Sequence, residues 1–155
     1  MHNQYQIFTS AFNDQFCDHI ISVAKLYREQ GGVVGSFDAT TGESSAALNQ
    51  DIRNSTIRWV DIYAHREINT ILNDYVNAVN SSLFGFDISF GFNSLQYTEY
   101  NGDGPVPQFY DWHMDCLFDN AVLDRKLSAV VQLSSPDDYK AVFSKWKVAR
   151  VLHLM

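Results

Sequence analysis

His113 and Asp115 are the two residues of this 155-residue chain whose types and spacing point to chemistry. They stand two apart in Phe109-Tyr110-Asp111-Trp112-His113-Met114-Asp115-Cys116. On an extended strand successive side chains point to opposite faces, so residues i and i+2 project the same way. A strand over 109–116 therefore aims an imidazole and a carboxylate at one point. Those are two of the three donors of a 2-His-1-carboxylate triad, which holds Fe(II) and leaves positions open for substrate and O2. A His-x-Asp alone is a weak signal. The competing reading, a buried histidine beside an aspartate that caps a turn, needs no metal.

The elements that must position this pair are read from periodicity. Residues 7–30 predict an entry segment and a helix, capped by Ser10 or Asn13 and ended by Gly31-Gly32. Phe16, Ile20, Val23, Ala24 and Tyr27 form its buried stripe, with His19 beside it at the surface. The Gly-, Ser- and Thr-rich stretch 33–50 predicts a loop. Residues 55–61 predict a strand with Ile57 and Trp59 on one face. A second helix is expected over about 62–80, its stripe made of Ile68, Ile71, Leu72, Tyr75, Val76 and Val79.

From residue 83 the period changes to two, and Phe84, Phe86, Ile88, Phe90 and Phe92 predict a strand with a buried aromatic face. Residues 95–100 supply the next strand, and Asn101-Gly102-Asp103-Gly104-Pro105-Val106-Pro107 a loop. The strand at 109–116 follows, on which Tyr110 and Trp112 point away from His113 and pack or line a rim. A last strand is expected over 126–134. Helices first and antiparallel strands after make the fold class α+β.

Length bounds the chain to one domain, and 14% aromatic with 19% charged residues does not suggest disorder. A formal charge of −7 argues against a nucleic-acid partner, which would want clustered Lys and Arg. Cys17 and Cys116 make neither a zinc pattern nor a disulfide framework and read as reduced thiols. The first residues lack a basic, then apolar, leader, and no apolar run approaches the ~20 residues that span a bilayer. The expectation is a soluble, cytoplasmic protein with no membrane partner.

The surroundings of the His-x-Asp carry more. Leu95-Gln96, Tyr100, Asn101-Gly102, Tyr110, His113 and Asp115 stand in the order and spacing of the prolyl 4-hydroxylase-like Fe(II)/2-oxoglutarate dioxygenases, which the chain resembles over roughly residues 10–139. The match continues through Arg125-Lys126 into 127–134 and Pro136-Asp137-Asp138-Tyr139, and more loosely upstream at Arg53-Asn54-Ser55. The resemblance implies a double-stranded β-helix, the jelly roll of cupins, with N-terminal helices packed on it. It implies Fe(II) at His113 and Asp115, 2-oxoglutarate as cosubstrate and ascorbate as a further candidate cofactor. Tyr100 and Gln132 fall where relatives contact the cosubstrate, and the 33–50 stretch falls near the substrate groove. The implied substrate is a peptidyl prolyl or similar side chain, or a small molecule.

After Tyr139 the resemblance stops. Relatives continue with Gly-Gly, a distal histidine as third ligand, and an Arg or Lys that pairs with the far carboxylate of 2-oxoglutarate. Residues 1–139 hold all 18 acidic residues and seven of the 11 basic ones, while 140–155 hold four basic residues and no acid. This out-of-family tail is expected from a truncation or a one-base slip, since a Gly-Gly codon pair that loses one G reads Ala-Val, as at Ala141-Val142. His153 is the single histidine after the motif and the remaining candidate for third ligand. An incomplete domain of this kind predicts open sheet edges and self-association. The alternative to an enzyme is an inactive remnant or binding module.

Overall fold

The structure is a computed structural model that describes residues 5–38, 40–41, 43–88, 94–113, 115, 125–138 and 148–154. Helix α1 (Asp14–Ala24) starts where the side chain of Asn13 accepts the Phe16 N–H at 2.9 Å, so Asn13 rather than Ser10 is the cap. Ile20, Ile21, Val23 and Ala24 are its buried positions. The helix stops well before Gly31. Its last turn tightens through Tyr27 N–H to the Ala24 carbonyl at 3.1 Å, and Gln30–Gly31 is instead strand β1. The glycines are needed for close packing of extended chain, not as a helix stop.

The stretch expected as a loop holds a hairpin. Strands β2 (Val34–Asp38) and β3 (Glu43–Ala47) pair antiparallel from Val34↔Ala47 to Asp38↔Glu43. Small and polar side chains gave no strand signal, but a ladder is built from backbone groups that every residue carries. Next come β4 (Arg53–Asn54) and β5 (Thr56–Val60). Ile57 is buried while Trp59 is substantially exposed, so their shared face is covered at one residue and open at the other. Arg58, between them, is held by Glu29 and Glu99 on the opposite face.

Helix α2 (Arg66–Val79) begins later than its apolar pattern suggests. The Asp61 carboxylate accepts the N–H groups of Tyr63 at 2.7 Å and Ala64 at 3.3 Å, which makes a turn and delays the helix. Ile68 and Leu72 are its deepest residues, and Ile71 sits at the rim. Residues Asn80–Phe84 then form a π-helical turn that ends at Gly85, whose φ of 68° suits glycine. The Asn80 side chain closes this turn, accepting Phe86 N–H at 3.0 Å and donating to the Phe86 carbonyl at 2.8 Å. That local bonding replaces the expected strand over 83–88; residues 89–93 lie outside those described.

Strands β6 (Leu95–Asn101), β7 (Phe109–Tyr110), β8 (Ala129–Gln132) and β9 (Val148–Leu154) complete the set, with a short 3-10 turn at Pro136–Asp138. An antiparallel five-stranded sheet runs β1-β5-β6-β9-β8, and β4 pairs with β7 as a separate ribbon. Both helices pack on one face of the sheet, where Val60, Leu95, Tyr97 and Leu133 meet Ile20, Ile21, Ile68 and Leu72. Each such side chain taken fully from water is worth roughly 1.5–3 kcal/mol. By alternation Ile57, Gln96, Thr98 and Tyr100 belong to the other face. Two helices on antiparallel sheets are the expected α+β class. Residues 148–154, from the out-of-family tail, pair with β6 along its whole length and separate it from β8. Among the described residues no helix is long and apolar enough to cross a membrane.

Candidate metal centre

Strand β7 ends at Tyr110, short of the expected 109–116, because residue 111 turns the chain. Asp111 donates its N–H to the Ile52 carbonyl at 3.0 Å, and its carboxylate accepts the Trp112 N–H at 2.8 Å. The bend re-aims every side chain after it. Tyr110, expected on the face away from His113, stacks on its ring with centroids 3.7 Å apart and planes 12° from parallel. Trp112 packs against nothing: it is 99% exposed. Met114 and residues 116–124 lie outside those described.

His113 and Asp115 converge nonetheless. A carbonyl can only accept, so the 2.8 Å contact between His113 Nδ1 and the Asp111 carbonyl puts the proton on Nδ1. In the neutral ring Nε2 is then left with its lone pair, 3.4 Å from Asp115 Oδ1. The same carboxylate oxygen lies 3.5 Å from the Arg125 guanidinium. All three side chains are partly open to solvent, Arg125 least.

Behind this pair stands a layer that ties the ribbon to the sheet. The Arg53 guanidinium lies 4.4 Å from the Tyr110 ring centre. Arg53 is itself buried, and donates to Ser55 Oγ at 2.9 Å, the Val33 carbonyl at 3.2 Å and Gln96 Oε1 at 2.9 Å. Gly32 makes room for it: a Cβ there would sit 2.5 Å from Arg53 Nε and 2.3 Å from Ser55 Oγ. Tyr100 lies along β6 from Gln96, and its phenol is pushed up by burial, with Arg53 nearby pulling the other way. Contacts thus run from Gln96 through Arg53 and Tyr110 to His113, Asp115 and Arg125.

Gln132 is exposed on the end strand β8, and no contact joins it to this chain of residues. His153 is set by backbone register opposite both Gln96 and Val130. The Arg53–Gln96 link is the part that sequence reasoning left without a role. Its signal was slight: an Arg-x-Ser in a match too loose to assign, and Gln96 at strand spacing from Tyr100.

A metal was tested against this geometry. Ligands at adjacent corners of an octahedron with bonds of about 2.1 Å lie about 3.0 Å apart, close to the 3.4 Å seen here. The held Nδ1 is also the feature that orients a ligating imidazole. His113 and Asp115 therefore fit two corners. Among the described residues no group of three His, Cys, Asp or Glu side chains could hold an ion, so no reaction step is derived through one. No protein-family model, curated protein or solved structure matches the chain.

Proposed function

We propose that the chain is a dioxygenase domain of the prolyl 4-hydroxylase-like, Fe(II)- and 2-oxoglutarate-dependent class, with His113 and Asp115 as two of its iron ligands. The observation that carries this is the tautomer-fixed His113, whose free Nε2 faces Asp115 at 3.4 Å. When bound, Fe(II) and 2-oxoglutarate supply the oxidising power: O2 and 2-oxoglutarate are consumed, succinate and CO2 leave, and a substrate C–H becomes C–OH. The chain's own residues orient and shield. Asp111 holds the imidazole, Tyr110 covers one of its faces, and Tyr100 offers a neutral phenol to a cosubstrate oxygen. Gln132 remains a cosubstrate contact by resemblance alone. The proposal takes the five-stranded sheet as one side of a jelly roll and the β4–β7 ribbon as part of the other, joined through Arg53 and Gln96. Its substrate is a prolyl or similar side chain.

A second reading, an inactive remnant or binding module, is favoured by one contact. Arg125 lies on the carboxylate that should meet the metal, and a guanidinium there competes with it for the same oxygen. Succinate production separates the two readings. The protein with Fe(II), ascorbate and 2-oxoglutarate should form succinate above the level of His113→Ala. Equal background in both proteins would leave the binding module.

A further inference from the structure

The described residues leave one charge unanswered. Arg53 is only 6% exposed, yet its partners among them are all neutral: a hydroxyl, a backbone carbonyl, an amide oxygen and an aromatic ring. A buried ion without a counter-ion is costly, and such groups are normally paired. Three of its five N–H groups are used in these bonds, which leaves two to donate.

Beside it lies a second anomaly. Thr98 is fully buried, and its hydroxyl has no hydrogen-bond partner among the described residues. Native structures rarely leave a buried polar atom so. Thr98 stands on β6 between Gln96 and Tyr100, and strand alternation puts all three on one face. Gln96 bonds Arg53, and Tyr100 is close enough to it for the guanidinium charge to act on the phenol. Thr98 is thus flanked on both sides by neighbours of the uncompensated cation.

We propose that Arg53, Thr98 and Tyr100 form a carboxylate-binding site, with Gln96 as the positioning residue that holds the guanidinium. The guanidinium supplies the charge and a planar pair of donors that matches a carboxylate. The two hydroxyls donate to its remaining lone pairs. This deepens the dioxygenase reading by assigning the cation for a ligand's carboxylate to a residue from the first half of the chain. It rests on that reading only for the identity of one ligand, 2-oxoglutarate. The other source of the same chemistry is an acidic side chain of the substrate.

Calorimetric titration of the full chain in EDTA, with no metal, tests it. The probes are 2-oxoglutarate, N-acetylglutamate α-amide as the side-chain carboxylate, and dimethyl succinate as the uncharged control. At least one carboxylate should bind and the diester should not; the tighter of the two identifies the source. Thr98→Val should raise Kd about tenfold, the loss of one hydrogen bond to a charged group. Because that hydroxyl is unpartnered, the same variant should unfold no more easily than the parent. Arg53→Gln should abolish binding; since it also breaks three structural bonds, Thr98→Val carries the decision. His113→Ala should bind as the parent does. Binding of neither acid, or binding unchanged by Thr98→Val, overturns the proposal. Binding that needs metal and His113 but ignores Thr98 overturns it too, while leaving the iron reading intact.

Discussion

Single side chains at this site are set by who holds them. His113 is useful to a metal because a backbone carbonyl fixes its proton on Nδ1, and Tyr100 is useful because burial keeps its phenol neutral. The latter has a sign that can be checked. A folded phenol whose ionisation is raised stabilises the protein fully below about pH 10, and that stability is lost as pH climbs through the folded value. An ultraviolet titration should therefore show a phenolate transition above the ordinary range that Tyr100→Phe lacks. Unfolding midpoints of the parent should also fall more steeply above pH 10 than those of the variant. A Tyr100 titrating with the exposed tyrosines would remove its place in the site. His113 and Asp115 were legible because two residues so close in the chain can hardly be far apart in space. Arg53 was not, since its partner Gln96 lies 43 positions away and long-range contacts leave no local pattern.

Elements were legible where one face is buried and illegible where local hydrogen bonds compete. The stripes of α1 and α2 and the strand β6 follow their apolar periods. The alternating phenylalanines after residue 83 do not, because Asn80 and Gly85 wrap the chain into a turn before a strand can start. The hairpin of β2 and β3 lacked any apolar alternation to reveal it. Between them the short strands around the site depend on close approach. At Gly32 an added methyl meets Ser55 Oγ and Arg53 Nε, both at well under contact distance. Gly32→Ala should cost about 1–3 kcal/mol, the usual penalty of overpacking, read as a lower denaturant midpoint. An unchanged midpoint would mean that Arg53 is not fixed by its bonds to Ser55, Val33 and Gln96.

At the scale of the whole molecule the tail changes meaning. Its composition sets it apart from the preceding 139 residues, yet its last stretch is an inner strand of the sheet. Sequence patterning missed this because pairing partners are chosen by register over the whole fold. The sheet should therefore not survive without it. A chain ending at residue 147 exposes the edges of β6 and β8 together, and should lose its cooperative unfolding transition or aggregate. Retention of the parent's melting curve would show that residues 148–154 are dispensable. The account as a whole turns on whether the converged imidazole and carboxylate hold an ion. Anaerobic equilibrium dialysis against Fe(II) measures that most directly. One equivalent should bind to the parent protein, with His113→Ala and Asp115→Asn each losing most of that affinity. Equal retention of iron by all three proteins, or none by any, would contradict the account.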